Sequence, residues 1–217
     1  MNKIYVLEAS ILAAFLVLCP GNLCAENIDP YEDGSQYAYG ENVGWMNFEP
    51  NTGDGVQVAS DKLTGFIWAE NIGWVSMSCE NTSSCGTVSY GVTNDGSGSL
   101  SGYAWAENVG WVSFSCDNTS SCGTVDYGVT IDDDGNFDGW AYAENIGWIH
   151  LQSTSLVAYK VQACVVTMDD LQNFAYYWLD SGAVPANLDT IGDVDNIDFA
   201  IFASYWQDFC PDNWQLK

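Results

Sequence analysis

A six-residue stretch that recurs four times constrains the fold of this chain more than any other sequence feature. Each copy has a small residue followed by Glu, Asn, Val or Ile, Gly and Trp. The copies lie at 40–45, 69–74, 106–111 and 143–148, so the intervals between them are 29, 37 and 37 residues. Such a period is typical of repeat architectures, in which each unit buries its apolar face against its neighbours.

The residues around each copy predict a β-hairpin. In the third copy, Tyr-Ala-Trp at 103–105 precedes the motif and Val-Ser-Phe at 112–114 follows Trp111, which is the period-two alternation of strands. Asn108 and Gly110 can adopt the positive φ of a tight turn. The alternation places Ala104, Val112 and Phe114 on one face and the aromatic rings on the other.

The predicted fold class is mainly β. Segments at 88–92 and 125–131 predict a third strand before each later hairpin, so each unit becomes a three-stranded antiparallel β-meander. The domain at 26–156 is then an array of about four such repeats. The shorter first interval and the truncated ends resemble capping repeats, which favours an open stack over a closed arrangement.

An aromatic row runs along one face of the predicted array, and it has two interpretations. The favoured one is a packed ladder that forms a second core layer, because a long exposed stripe of rings would promote aggregation. The other is an exposed platform on which sugar rings stack, with Trp74, Trp105, Trp111 and Trp148 as candidate ligand-binding residues. The row comprises Tyr37, Tyr39, Trp45, Phe66, Trp68, Trp74, Tyr103, Trp105, Trp111, Trp140, Tyr142 and Trp148.

The first 25 residues have the layout of a secretory signal peptide. Lys3 precedes an apolar stretch that ends at Leu18, and Ala25 lies at a suitable cleavage position. No later stretch approaches the roughly 18 apolar residues of a membrane span. We therefore expect a secreted protein, extracellular or held at the cell surface, with no membrane span.

Six cysteines beyond this leader predict three disulfides. Two pairs close equivalent loops in successive repeats, and a third pair brackets the C-terminal region. An oxidising compartment favours disulfides, whereas a metal site is disfavoured because the chain has no CxxC and a single histidine. The predicted bonds are Cys79–Cys85, Cys116–Cys122 and Cys164–Cys210. Asn81 and Asn118 in the two loops form N-glycosylation sequons.

The charge balance limits the partners. The chain has 29 acidic residues against 4 basic ones, a formal net charge of −25. Binding nucleic acid through its phosphates is close to excluded, and so is attraction to anionic lipid. Such acidity favours cations or a basic partner and keeps an aromatic-rich chain in solution.

The C-terminal region, 157–217, predicts a duplicated pair of helices. Apolar residues keep helical spacing at Leu171, Phe174 and Trp178, and again 28 residues later. Asp170 and Asp198 lie close to the predicted helix starts, where a carboxylate favours the helix.

This region resembles a type I dockerin, a small α-helical module with EF-hand-like calcium loops. The second copy carries the resemblance at Asn187, Asp189, Gly192, Asp195 and Asp198, which match loop positions 1, 3, 6, 9 and 12. The resemblance implies one weak Ca²⁺ site with the ligands Asn187, Asp189, Asp193, Asp195 and Asp198, and a cohesin-like protein partner. Position 5 departs from the pattern, because Ile191 has no side-chain oxygen, and the expected first loop at 159–165 has no carboxylate.

The repeats themselves resemble GYAWxENxGW β-repeat surface proteins of environmental bacteria. That resemblance implies a cell-surface location and no particular activity.

Catalysis is not predicted. Glu41, Glu70, Glu107 and Glu144 occupy four equivalent turns, whereas a catalytic carboxylate pair would be unique in the chain. The sequence has no nucleophile-elbow, phosphate-loop, dinucleotide or zinc motif. Two non-catalytic hypotheses remain. The favoured one is a secreted structural or adhesive protein with a dockerin-like docking module, and the alternative is a carbohydrate-binding component of a dockerin–cohesin-type polysaccharide-processing assembly.

Overall fold

The computed structural model describes residues 27–211 and 214–216. The predicted signal peptide at 1–25 lies outside the described residues. The described part contains fourteen β-strands and two α-helices, and it confirms that the chain is mainly β. The strands are β1 Tyr37–Gly40, β2 Gly44–Asn47, β3 Gln57–Val58, β4 Lys62–Thr64, β5 Phe66–Ala69, β6 Gly73–Ser76, β7 Val92–Asn94, β8 Leu100–Ala106, β9 Gly110–Ser113, β10 Val129–Ile131, β11 Phe137–Ala143, β12 Gly147–His150, β13 Gln152–Ser153 and β14 Tyr159–Lys160, and the helices are α1 Met168–Tyr176 and α2 Asn196–Ser204.

Eight strands form a closed antiparallel barrel. They make four hairpins, one around each motif copy, which we call hairpins A (β1–β2), B (β5–β6), C (β8–β9) and D (β11–β12). Each hairpin pairs with the next, and Tyr39 and Gly40 of hairpin A pair with His150 and Ile149 of hairpin D. The prediction of an open stack is therefore wrong. Closure pairs the strand edges that an open stack would leave exposed at hairpins A and D.

Small and medium apolar side chains fill the barrel. Each hairpin contributes one directly opposed inward pair, and every member is at most 2% exposed. The pairs are Ala38–Met46, Ile67–Val75, Ala104–Val112 and Ala141–Ile149. Phe48, Met77, Phe114 and Leu151 form the next layer, and the central cavity measures only about 10 Å³. The predicted common face of Ala104, Val112 and Phe114 is confirmed, and it is the face that points inward. The barrel has a packed core rather than a channel.

A glycine bends β8, the first strand of hairpin C, at the point where this strand enters the barrel. The N-terminal part of β8 pairs with β7, outside the barrel, and the C-terminal part pairs with the barrel strands β9 and β6. Gly102 lies at the bend with φ +83°, and a Cβ atom there would lie 2.1 Å from the carbonyl oxygen of Gly91. The Asn118 side chain accepts the Gly102 N–H at 2.9 Å and donates to its carbonyl at 2.6 Å. Asn118, predicted only as a glycosylation sequon, therefore fixes this bend.

The C-terminal helices are short and share a small core of their own. Phe174 of α1 and Phe202 of α2 are buried, with ring centroids 5.2 Å apart. Asp170 and Asp198 lie in the first turn rather than before the helix. Each accepts the N–H of the N-cap residue, Thr167 or Asp195, in a capping box.

Strand pairing continues beyond the predicted boundary at residue 156. Tyr159 and Lys160 form β14, and Val161 and Ala163 belong to the barrel core. The segment expected to supply the first calcium loop therefore belongs to the β region.

The three predicted disulfides, Cys79–Cys85, Cys116–Cys122 and Cys164–Cys210, are all present. The third lies where Asn27 joins the two regions. The Asn27 side chain donates to the carbonyls of Val58 and Cys210, and the Asn27 backbone carbonyl accepts the Cys164 N–H. None of the helices in the described part of the chain is both long and apolar enough to cross a membrane.

Candidate functional site

The aromatic row lies on the outside of the barrel, and many of its rings reach solvent. Trp74 is 38% exposed, Trp111 42% and Trp148 39%. The favoured interpretation of a buried ladder is therefore wrong. Ala, Val, Ile and Met occupy the interior, and an eight-stranded barrel has no room there for a dozen large rings.

The motif tryptophan of each hairpin packs against its cross-strand aromatic partner, edge to face in hairpins A, B and C and tilted in hairpin D. The centroid distances are 5.0 Å for Tyr39–Trp45, 4.8 Å for Trp68–Trp74, 4.5 Å for Trp105–Trp111 and 4.7 Å for Tyr142–Trp148. Rings held this way are rigid while one face or edge stays accessible.

Two equivalent grooves cross the outer surface between neighbouring hairpins. Groove 1, between hairpins B and C, has a volume of about 900 Å³, and groove 2, between hairpins C and D, about 940 Å³. Ten lining positions of groove 1 recur in groove 2, each 37 residues later. They are Phe66, Trp74, Ser76, Thr82, Ser84, Val88, Tyr90, Trp105, Glu107 and Trp111 in groove 1, and Tyr103, Trp111, Ser113, Thr119, Ser121, Val125, Tyr127, Tyr142, Glu144 and Trp148 in groove 2. Trp105 and Trp111 line both grooves and form the wall between them.

The floor of each groove is a hydrogen-bonded polar cluster. In groove 1 the Tyr90 hydroxyl donates to Ser76 Oγ at 3.1 Å, and Ser76 Oγ donates to the Ser78 carbonyl at 2.9 Å. In groove 2 the Tyr127 hydroxyl donates to Ser113 Oγ at 3.0 Å. These hydroxyls lie beside aromatic faces, so each groove combines stacking surfaces with hydrogen-bonding groups.

A disulfide-closed loop forms one side of each groove. In the first loop, Ser78 Oγ accepts the Glu80 N–H and begins a short 3₁₀ helix at Cys79–Thr82, and Ser83 ends it with φ +55°. Asn81 holds the loop against the barrel through its bonds to both backbone groups of Gly65. The loop from Cys116 to Cys122 repeats this arrangement at groove 2.

Burial raises the pKa of Tyr103 in groove 2, and the neighbouring Tyr127 adds to the effect. The Tyr103 hydroxyl donates to the Asn118 carbonyl at 3.2 Å. The phenol therefore stays neutral around physiological pH, and its hydrogen bond remains intact.

The other two seams of the barrel are lined differently. At the seam between hairpins D and A, Tyr159 packs on Trp45 at 5.2 Å, as Tyr90 packs on Trp111 at 5.4 Å. In this seam His150 occupies the position that Ser76 and Ser113 hold in the two grooves, and its ring stacks on Trp140 with the ring centroids 4.0 Å apart. At the seam between hairpins A and B, Gly53 lies against Trp74.

The four tryptophans predicted as ligand-binding residues lie together. Trp74, Trp105 and Trp111 line groove 1, and Trp105, Trp111 and Trp148 line groove 2. Sequence reasoning missed the floor residues Ser76 and Tyr90. The strict 37-residue recurrence of both residue types was the signal that could have identified them.

The predicted calcium loop is largely satisfied by its own backbone. Asp189 accepts the Ile191 N–H at 2.8 Å, and Asp195 accepts the Ile197 N–H at 2.7 Å. Asp198, fully buried, accepts the N–H groups of Asp189 at 3.0 Å and of Asp195 at 2.9 Å. Asp193 is exposed.

Asn187 differs from these aspartates. Its amide nitrogen donates to the carbonyls of Gly182 and Gly192, while its buried Oδ1 has no hydrogen-bond partner in the described part of the chain. An unpaired amide oxygen is a ligand type that Ca²⁺ accepts. Among the described residues, however, no three carboxylates of this loop have ligand atoms within 4.8 Å of one another.

The group of metal-ligating residue types that does lie close together among the described residues is Cys116, Asp117 and Cys122, with ligand atoms within 4.8 Å of one another. Both sulfurs belong to a disulfide, so they are not thiolates and do not make a metal site.

Comparisons of the chain with protein-family models, with curated proteins and with solved structures find no match. A functional proposal therefore rests on the grooves and on the C-terminal loop.

Proposed function

We propose that the protein is an exported, non-catalytic glycan-binding protein whose two equivalent grooves hold sugar chains. The observation that carries this proposal is the recurrence of one groove lining in two copies, each with exposed tryptophans over a polar floor. Sugar rings have apolar faces that stack on aromatic rings and hydroxyls that require hydrogen-bond partners. A groove with both features suits them better than it suits a purely apolar ligand.

The grooves favour binding over a purely structural role. A spacer would gain stability by burying its aromatic rings, whereas Trp74, Trp111 and Trp148 leave about 40% of their surface in solvent. Packing against Phe66, Trp68 and Tyr90 fixes ring orientation without covering the rings, so binding would lose little side-chain entropy.

The C-terminal region would attach this binding domain to a partner. Its resemblance to a dockerin supports a cohesin-like protein partner and a calcium ion in the loop that includes Asn187, Asp189, Asp195 and Asp198. The unpaired Asn187 Oδ1 supports the calcium ion independently of the resemblance. Asp193, which is exposed, would add its backbone carbonyl. A bound calcium ion would neutralise charge in the loop and hold α2 in place.

Trp111→Ala tests the glycan proposal, because Trp111 lines both grooves. We expect saturable changes in tryptophan fluorescence with at least one soluble polysaccharide, and roughly tenfold weaker binding by the variant, since losing about 1.4 kcal/mol of contact is a factor of ten. Trp74→Ala should weaken binding at groove 1 only, and Trp148→Ala should weaken binding at groove 2 only.

Trp45→Ala is the matched control. Trp45 is the equivalent motif tryptophan of hairpin A, is 44% exposed and lines neither groove. Absence of binding across a broad polysaccharide panel, or an equal loss in Trp45→Ala and Trp111→Ala, would reject the proposal.

A further inference from the structure

The structure assigns a positive charge to the ligand. We propose that the two grooves bind glycans with free, protonated amino groups, the chemistry of glucosamine-type oligosaccharides. This inference rests on the proposed glycan-binding function and specifies the class of sugar.

Every charged side chain that lines the grooves is acidic. Asp54 and Glu107 line groove 1, and Glu144 lines groove 2. Glu107 and Glu144 occupy the same repeat position, are exposed, and make no hydrogen bond or ion pair with the described residues. Each groove therefore presents an uncompensated carboxylate beside its aromatic wall.

The lysines in the described part of the chain do not offset this charge. Lys62 pairs with Glu80 at 2.7 Å, and Lys160 donates to Asn136 and Gln162. Neither lysine lines a groove. With a formal net charge of −25 over the whole sequence, a glycan with carboxylate or sulfate groups would be repelled both at long range and within the groove.

The exposed indole rings add a second attraction for a cation. Trp is the best aromatic partner for an ammonium group, and one placed over the exposed face of Trp111 or Trp148 would gain cation–π energy in addition to the nearby carboxylate. A neutral sugar could stack on the same ring and donate a hydroxyl hydrogen bond to Glu107 or Glu144, but it carries no charge for either group to attract. An ammonium group adds a charge interaction with both the carboxylate and the ring.

Binding of length-matched hexasaccharides to the full chain tests the charge. Calorimetry at pH 5.5 keeps the sugar amines protonated. At about 0.15 M salt, which screens distant charges, we expect the glucosamine hexamer to bind at least roughly tenfold tighter than the N-acetylglucosamine and glucose hexamers.

Glutamates at equivalent positions provide the control for non-specific attraction. The double variant Glu107→Gln/Glu144→Gln should lose most of the preference for the amine. The double variant Glu41→Gln/Glu70→Gln should keep it, although it removes the same charge from the same position of hairpins A and B, outside both grooves.

Three results would overturn the inference. Equal affinity for the neutral and amine-bearing hexamers would leave glycan binding intact and remove the charge preference. An equal loss in the two double variants would assign the preference to overall charge rather than to the grooves. No binding of any hexamer, together with no binding of longer polysaccharides, would reject the glycan-binding function itself.

Discussion

The motif asparagine is the residue whose contribution differs most from the sequence-based expectation. Asn108 was expected to adopt the positive φ of a turn, but the positive φ belongs to Gly110, at +87°. Asn108 Nδ2 instead donates to the carbonyl of Ile72 in the preceding hairpin, at 2.9 Å. The other three motif asparagines make the same bond, and Asn42 bonds to Ile146 of hairpin D, so the four bonds form a closed ring around one end of the barrel.

We expect Asn108→Ala to lower the free energy of unfolding by about 1 kcal/mol, because it removes one hydrogen bond between hairpins and leaves the Ile72 carbonyl without that donor. Urea denaturation would measure the loss. Asn51→Ala, at an exposed position outside the motif, should change stability by less than about 0.5 kcal/mol. A loss no larger than that of the control would show that the ring of asparagines is not stabilising.

At the scale of elements, the C-terminal loop and α2 form a unit that is only partly self-sufficient. Asp195 and Asp198 cap α2 through the backbone, and Val194 and Phe202 are fully buried behind the loop. Asn187 ties the loop together through Gly182 and Gly192 while its Oδ1 stays unpaired. A buried, unpaired acceptor costs free energy, which a bound cation would recover.

Calcium should therefore raise the melting temperature of the wild-type chain. At ten times its dissociation constant a ligand adds about 1.4 kcal/mol of stability, which corresponds to a shift of roughly 3–6 °C for a chain of this size. Scanning calorimetry with calcium or with chelator would measure the shift, and magnesium should produce less of it.

Asn187→Ala should abolish this calcium-dependent shift, whatever its effect on the melting temperature in chelator. Asn196→Ala, in the exposed first residue of α2, should retain it. The calcium proposal fails if the wild-type chain shows no shift or if both variants respond alike.

At the scale of the whole molecule, the seam between hairpins D and A decides whether the barrel closes. His150, the single histidine of the chain, lies in this seam between the Trp140 ring and the Tyr159 hydroxyl, which is 3.3 Å from its Nδ1. Burial lowers the pKa of His150, and Asp138 opposes that effect only in part. Protonation is therefore harder in the folded state than in the unfolded chain.

The sign of the pH dependence follows from this shift. Between the lowered folded pKa and the unfolded value of about 6.5, the unfolded chain binds more protons, so stability falls as the pH decreases through this window. We expect His150→Ser, which introduces the residue found at positions 76 and 113, to reduce the drop in melting temperature between pH 7.5 and 5. Tyr31→Ser, a substitution at an exposed position, is the control. If the melting temperatures of the wild type and His150→Ser depend on pH in the same way, the pH dependence does not come from His150.

The sequence by itself determined the local features of the protein. The four hairpins, the shared face of Ala104, Val112 and Phe114, and the disulfides within single loops all depend on residues that are close in the chain. Period-two alternation and a six-residue cysteine spacing specify such features directly. The C-terminal helices were predictable for the same reason, because their apolar spacing is local.

Only the tertiary structure decided that the array closes, and closure decided which side chains lie inside the barrel and which lie outside. The bond from Asn42 to Ile146 spans 104 residues, and no local pattern encodes the strand tilt and stagger that bring hairpins A and D together. Both faces of each strand are apolar, so alternation alone could not distinguish the inside from the outside. The narrow interior of an eight-stranded barrel accepts Ala, Val, Ile and Met, so the larger rings lie outside and line the grooves.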